Sequence, residues 1–555
     1  MTGTTSPSAW LDRFFDWYYR TNPVSATFIG VHDYDTALPT FHASDTELDA
    51  LLGESQHLSN MDDIDPSVQV DVMLARSYLW FVRTERQSSH LTGNPCLYTG
   101  EAVFSIVSLF LREFATENER LASAAKRLHA IPDLLNEGRA SIADAPAVWV
   151  ERAIRECVGA DNLLRDGLPL LMAESGEAHL DLIGAIDAAV TAFADFRVAL
   201  ESRSLSGSER PLAIGQEQFD WMLRYVHFLN MSGEEITAYA RRELEVARQA
   251  LDAELQQQGF ASWDAAAEAI AADHPSADQY LRSFETVWRD ARQYAIDRDL
   301  VTWPDTPIAF EPIPEWARTS APYLYFLYYR CPPPFDDGQV QRYLVPPLGD
   351  APDAGLRSVN STQVTLNHVI HHAGLGHHVQ NWYAARARSR VGQIAGNDTA
   401  LRIALPSAGT FVEGWACYAT DLMEEAGFLT PLQVLSMRQS RLRMAARAIA
   451  DVAIHTGEFS IDDAVEFYAQ EAGMDAGAAH GEAVKNSMFP TMAMMYLIGT
   501  DLIHDLRAEM MSAWGDEFSL RRFHDEFLSW GAIPVALVAR LMKGEAPTPG
   551  GFSRR

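Results

Sequence analysis

A mostly α-helical protein is expected from three features of this sequence. Apolar residues recur at three- and four-residue intervals between charged positions over residues 67–86, 117–139, 148–168, 185–201 and 232–258, the spacing of a helix with one buried face. Proline and glycine fall at the breaks between such stretches, as in 204–215, the one segment loose enough to serve as a linker. Only 304–350, rich in proline and aromatic residues (PIAFEPIPEWA, YLYFLYYRCPPPFDDG, RYLVPPLGD), suits short strands and turns better than helix.

In chain order, a helical part is expected over 1–230. A second part over 231–545 contains the small sheet near 304–350, with helical texture resuming at 361. A Pro/Gly-rich tail closes the chain at 546–555. The whole is expected to form a single large domain of 555 residues, with no fixed-period repeat and no low-complexity block. The longest uncharged apolar tract, 487–500, is 14 residues long and contains Pro490, whereas a membrane span needs about 20 residues. The start, MTGTTSPSAWLDRFFDWYY, lacks a basic stretch followed by a long apolar one, so no secretory signal and a cytoplasmic location are expected. The four scattered cysteines (Cys96, Cys157, Cys331, Cys417) are accordingly expected to be reduced thiols.

Composition removes several function classes. Lys+Arg total 44 against 75 Asp+Glu, a formal charge of −31. A binder of nucleic acid or of an anionic membrane needs a basic footprint, so neither is expected as a partner. A small-molecule or short-peptide substrate is expected instead. An apolar content of 47% with 10% aromatics is enough for a buried core and excludes disorder as the dominant state. Nothing in the sequence reports the oligomeric state.

Chemistry concentrates in NHVIHHAGLGHHVQNW, residues 367–382. His368, His371, His372, His377 and His378, five of the 17 histidines, fall within eleven positions. Imidazole is the commonest metal-ligating side chain and suits Zn, Fe, Ni or Cu. On a regular helix, positions i and i+4 share a face about 6 Å apart. His368 and His372 have that spacing. His371 and His377 are six apart and would point roughly 120° away from one another on an ideal helix. They converge only if the helix bulges or breaks between them, and Gly374 and Gly376 permit a break.

Glu413 follows 36 positions beyond His377 in the apolar stretch FVEGWACYA, where a lone buried charge would be costly unless paired or coordinating. As a third ligand it would complete a two-His-plus-Glu shell with a position open for water. As a helix-start carboxylate it would gain only from the macrodipole. Arg447, Asp451 and His455 recur at i, i+4 and i+8 in AARAIADVAIH, one buried and mutually hydrogen-bonded stripe that either anchors a substrate carboxylate or forms a structural ion-pair network.

At these residues the chain resembles the bacterial domain-of-unknown-function family 885, distant relatives of the thermostable zinc carboxypeptidases. The family pattern HExxPGHxxQ is matched with substitutions by His371-His372-Ala373-Gly374-Leu375-Gly376-His377-His378-Val379-Gln380. Its EGWAxYxE is matched by Glu413-Gly414-Trp415-Ala416-Cys417-Tyr418-Ala419-Thr420. Pro23 to Gly30 with His32-Asp33-Tyr34-Asp35 resemble its opening. Arg447, Asp451 and His455, then Phe523-His524-Asp525 with Gly531 and Pro534, resemble its closing helices. The resemblance implies a large, mostly α, gluzincin-like metallopeptidase fold with a small β-sheet beside the metal cleft. It also implies His371, His377 and Glu413 as metal ligands, with Zn2+ the expected metal and Fe, Mn or Cu the alternatives. Tyr496 would stand near the site, where its phenol could donate to a developing oxyanion. His378, Arg447, Asp451 and His455 are expected to bind substrate or to support the ligands.

The departures from the pattern fall on the chemistry. His372 stands where the family has its general-base glutamate, and Leu375 where it has proline. Thr420 replaces the closing glutamate, Pro490-Thr491-Met492-Ala493 replaces PGQA, and Lys485-Asn486 replaces RY. General acid–base help is worth roughly 10²–10⁴ in rate, so the loss of that glutamate is serious. The first expectation is a metal-dependent hydrolase of a peptide, amide or ester bond, using metal-activated water with His372 as base and Tyr496 at the oxyanion. The alternatives are a non-hydrolytic metalloenzyme of small-molecule metabolism (a lyase or a redox- or oxygen-dependent enzyme), with His372 as an additional ligand, and a non-catalytic ligand-binding descendant.

Overall fold

The computed structural model describes residues 6–41, 45–58, 64–175, 180–203, 209–324, 333–336, 340–400 and 402–546. The expected helices form, and local chemistry sets their ends. Pro66–Ser88 starts with a proline in its first turn behind the capping side chain of Asp65. Glu117–Arg139 begins at a capping box of Thr116 and Glu119, and Gly233–Gln258 at one of Ser232 and Glu235. Pro431–Thr456 opens with a Thr430/Gln433 box and ends at Gly457 in the left-handed conformation. The stretch expected as one helix over 148–168 is instead Ala147–Asn162 followed by a π turn, Leu163–Gly167, and a further helix, Leu168–Ser175.

The expected sheet is two parallel strands, β1 (Ile308–Pro312) and β2 (Gln341–Val345), with Phe310 opposite Tyr343. Parallel pairing requires a long crossover, and here it contains the short helix Glu315–Arg318. Residues 325–332 and 337–339, which include Cys331 and much of YLYFLYYRCPPPFDDG, lie outside the described residues, as do 547–555 of the tail. The aromatic rings of Phe310 and Tyr343 pack on Phe284 of helix Tyr280–Asp297, and Tyr343 reaches on to His368. The sheet therefore stands beside the histidine segment.

Helical texture does not run unbroken from 361. A π-helix occupies Val364–Ala373, and a short antiparallel pair, β3 (Asp398–Thr399) and β4 (Arg402–Ile403), interrupts the chain before helix Gly409–Glu425. β3 and β4 are two residues each, too short to show a period-2 pattern.

Three hydrophobic cores hold these elements. One joins Trp10, Phe14 and Tyr18 at the start of the chain to Val369, Ile370, Trp415 and Phe527 near its end, so it spans both sides of position 230. A second is built mainly within 97–200 around the fully buried Trp149. The third packs helix Gly233–Gln258 along Pro431–Thr456. Of the segment expected as linker, 204–215, residues 204–208 lie outside the described residues, and 209–215 is tied down at both ends: Arg210 pairs with Asp144, and the Gly215 amide donates to the His455 carbonyl. Cys96, Cys157 and Cys417 are buried free thiols. Among the described residues no helix is long and apolar enough to cross a membrane.

Candidate metal centre

The helix carrying the histidines is broken where its glycines stand. Helix Ser361–Gln363 widens into the π-helix Val364–Ala373, and the chain turns at Gly374 before restarting as His377–Ala384. π-helical turns are rare and recur at functional sites because they re-aim side chains. The Gly376 amide donates to the Ile370 carbonyl at 2.8 Å, and a Cβ on Gly376 would sit 2.0 Å from the His371 carbonyl oxygen, so no other residue fits this turn. Trp415, fully buried, donates its indole N–H to the carbonyls of Leu375 (2.9 Å) and Gly376 (3.2 Å), which ties the bend to helix Gly409–Glu425. The result gathers three imidazoles, with ring centroids 4.7 Å apart for His371/His372, 4.8 Å for His371/His377 and 5.4 Å for His372/His377.

Glu413 meets them from the second turn of Gly409–Glu425. Its Oε2 is 3.4 Å from His371 Nε2 and 3.9 Å from His377 Nε2, and it is buried with no hydrogen-bond partner. Ligands bound to one cation at about 2.0–2.2 Å lie about 3–3.5 Å apart, so the His371 separation suits a shared ion and the His377 one would have to close by a few tenths of an ångström. Burial opposes the charge on Glu413, but the facing His371 and His377 outweigh it and hold the carboxyl well below the usual range. The other oxygen, Oε1, accepts a hydrogen bond from Tyr496 at 3.1 Å. That contact depends on a close helix crossing: Gly414 and Gly499 meet backbone to backbone, and a Cβ on Gly499 would lie 2.2 Å from the Thr410 carbonyl oxygen.

Hydrogen bonds behind the rings set which nitrogen each imidazole offers. His372 Nδ1–H donates to the Asn367 carbonyl at 2.6 Å, and His377 Nδ1–H donates to Gln380 Oε1 at 2.9 Å. Each ring is then left with its lone pair on Nε2, and one ligand atom from each of His371, His372 and His377 lies within 4.8 Å of the others. Burial, reinforced by the neighbouring His371, lowers the pKa of His377 to about 4, and burial with His371 and His377 lowers that of His372 as well. The neutral rings of His372 and His377, with lone pairs on Nε2 and orienting partners behind them, together with His371 and an orphaned carboxylate oxygen, suit a divalent transition metal.

This centre opens into a cavity of about 760 Å³, a size suited to a small molecule or a short peptide. Tyr496 and Arg447 line it. Arg447, however, is not a free anchor. It grips Glu482 with two hydrogen bonds of 2.8 and 2.7 Å and lies over the Tyr496 ring at 4.6 Å.

The expected mutual bonding along Arg447, Asp451 and His455 is replaced by separate partners. Asp451 accepts from the amides of Thr491, Ala493 and Met494, and His455 donates to the Asn486 carbonyl at 3.0 Å while standing 3.8 Å from Asp451. Neither lines the cavity. Their task is one step removed: Asp451 fixes the turn that launches the Tyr496 helix, Met495–Trp514. In that turn Thr491 has φ 65°, a left-handed conformation where the family pattern has glycine, and its hydroxyl is held by His227 at 2.8 Å. His378 is likewise away from the cavity. It is fully buried between Trp288 and Trp303 and bonded to Gln341 of β2, because a residue one step past His377 on a helix points about 100° away.

Sequence reasoning missed Gln380 and Asn367. Gln380 was visible as the closing residue of the first motif, and its spacing of three from His377 is the signal for an orienting partner on the same helix face. The Asn367 contribution is a backbone carbonyl and leaves no trace in side-chain identity.

The pattern of the family described as "Bacterial protein of unknown function (DUF885)" matches residues 23–542. The chain belongs to this family. No curated protein matches it. Two solved structures share its fold. One is described as a "putative lipoprotein of unknown function" from Shewanella oneidensis (21% identity, TM-score 0.76, covering 97% of this chain and 100% of the other). The second is described as a "putative lipoprotein" from Colwellia psychrerythraea (16% identity, TM-score 0.76, covering 97% and 98%). At such identities the likeness is one of fold. Lipoproteins are membrane-anchored, so a cytoplasmic location does not follow from this scaffold, and that expectation is withdrawn.

Proposed function

We propose that the protein is a metal-dependent enzyme of small-molecule metabolism in which His371, His372, His377 and Glu413 hold one divalent transition metal, and that its reaction is not hydrolysis. The observation that carries this reading is the orientation of His372. Its Nδ1–H is committed to the Asn367 carbonyl, so its single lone pair is on Nε2, in the same cluster as the inward nitrogens of His371 and His377. A lone pair given to a cation is not available to take a proton from water. The position that carries the general base in the similar zinc carboxypeptidases therefore contributes a ligand here. A centre of three imidazoles and one carboxylate suits Fe, Mn or Cu as well as Zn, and such a metal supplies Lewis acidity and, if redox-active, electron transfer. Tyr496 steadies Glu413 through Oε1 and places a phenol beside whatever binds at the centre.

Hydrolysis is the second reading, on a distantly gluzincin-like scaffold, and the same Tyr496 favours it, since a phenol beside a two-His-plus-Glu shell could donate to an oxyanion. Metal analysis of protein purified without added metal separates the two, together with the variant His372→Glu. The proposal expects a redox-active metal in the wild type, and loss or exchange of that metal in the variant without new peptidase or esterase activity. Zinc alone in the wild type, with hydrolysis rising in His372→Glu, would overturn it in favour of the second reading.

A further inference from the structure

The charges lining the cavity are almost all answered from within the protein. Arg447 is bound to Glu482, Lys485 stands 3.9 Å from the same carboxylate, and Arg441 bridges Glu243 and Asp501. Asp421 pairs with His504, Asp475 caps the amides of Gly477 and Ala478, and Glu413 faces the histidines. Arg443 is different. It projects from helix Pro431–Thr456 into the cavity, is exposed to that space, and among the described residues has neither an ion pair nor a hydrogen bond. Protein nonetheless surrounds it, and that enclosure together with the neighbouring Arg447 lowers its pKa, an effect that the Glu482 carboxylate, already paired with Arg447, offsets only in part.

Its placement relates it to the centre. Arg443 lies one helical turn, about 6 Å, before Arg447, whose guanidinium covers the Tyr496 ring, and the Tyr496 hydroxyl touches Glu413. A substrate that meets the metal at one end can therefore reach Arg443 with the other. Between them the wall is adaptable and apolar, with Met437, Met444, Met474, Met492 and Met495.

Resting on the metal-centre reading above, we infer that Arg443 is the substrate anchor and that the substrate is a small molecule with an apolar body and a single carboxylate. The fork of a guanidinium matches a carboxylate with two parallel hydrogen bonds. One guanidinium without an ion pair of its own matches one carboxylate. A phosphate dianion would need a second free cation, and the other three in the wall already have carboxylate partners, Arg441 in Glu243 and Asp501, and Arg447 and Lys485 in Glu482.

The test uses the full-length protein and a matched pair of probes, N-acetyl-L-methionine and N-acetyl-L-methioninamide, with affinities measured by calorimetry for the wild type and for Arg443→Gln. The wild type should bind the acid about tenfold or more tighter than the amide, and Arg443→Gln should bring the two to parity with metal content unchanged. Arg443→Lys should keep part of the preference, since it keeps the charge and loses the fork. Equal binding of acid and amide by the wild type, no binding of either, or an acid preference that survives Arg443→Gln would each overturn the anchor. Repeating the pair on chelator-treated protein separates this inference from the metal reading, because the preference belongs to Arg443 and should persist without metal.

Discussion

At the scale of single residues, the arrangement turns on which nitrogen each histidine presents. Gln380 and the Asn367 carbonyl hold the Nδ1 protons of His377 and His372, and outer partners of this kind are worth as much to a metal as a ligand's precise aim. Gln380→Leu should therefore weaken metal affinity about 10–100-fold, measured by competition with a chromogenic chelator, while the far-ultraviolet dichroism stays that of the wild type. Unchanged affinity would mean that Gln380 does not orient His377. The cluster was readable from spacing alone, since five histidines within eleven positions seldom gather by chance. The roles within it were not. His378 belongs to the same run and is buried against tryptophans instead, because adjacent residues on a helix point in different directions.

At the scale of elements, two tight contacts do the positioning. The bend at Gly376 is locked by Trp415, and the crossing at Gly414 and Gly499 sets Tyr496 against Glu413. Trp415→Phe leaves the carbonyls of Leu375 and Gly376 without their indole donor and should cost about 1–3 kcal/mol of stability, with weaker metal binding, as read by urea denaturation and metal titration. Gly499→Ala forces its Cβ onto the Thr410 carbonyl and should separate the helices, costing about 1–3 kcal/mol and removing the Tyr496 hydrogen bond. A crystal structure of that variant with Tyr496 still on Glu413 would contradict the claim. The need for a break near Gly374 and Gly376 followed from six-residue spacing. The ten-residue extent of the π-helix did not, and its last carbonyl, Ala373, accepts from the Trp288 indole at 2.7 Å, a long-range partner that no local pattern reports.

At the scale of the whole molecule, helix-rich architecture was legible because apolar periodicity and Pro/Gly breaks are local. The joining of residues 10–79 to the site-bearing helices was not, since no local pattern reports long-range packing. The cores also hide titratable groups with a measurable consequence. Burial lowers the pKa of His227, His368, His378, His455 and His524 to about 4 and of His90 to about 3, against about 6.5 when unfolded. A depressed histidine pKa means that the unfolded chain takes up the proton first. The stability these groups contribute is present above pH 6.5 and is lost as pH falls from 6.5 through 4, by about 1.4 kcal/mol per pH unit for each. Glu85 and Glu101, raised to about 7 by burial, act in the opposite sense between 7 and 4.5, as do Asp71 and Glu156, also raised by burial, but these four carboxyls do not offset six histidines. Urea midpoints should thus fall steeply between pH 6.5 and 4.5, and a flat profile would contradict the buried, neutral state of these histidines.

The central claim is that a bent helix brings imidazoles to a buried carboxylate to hold one metal ion. Inductively coupled plasma mass spectrometry on the wild type, His371→Ala and Glu413→Gln, each purified without added metal, tests it most directly. Close to one transition-metal ion per wild-type chain is predicted, and little in either folded variant. Wild-type protein that neither contains nor takes up a metal, or variants that retain it fully, would contradict the claim.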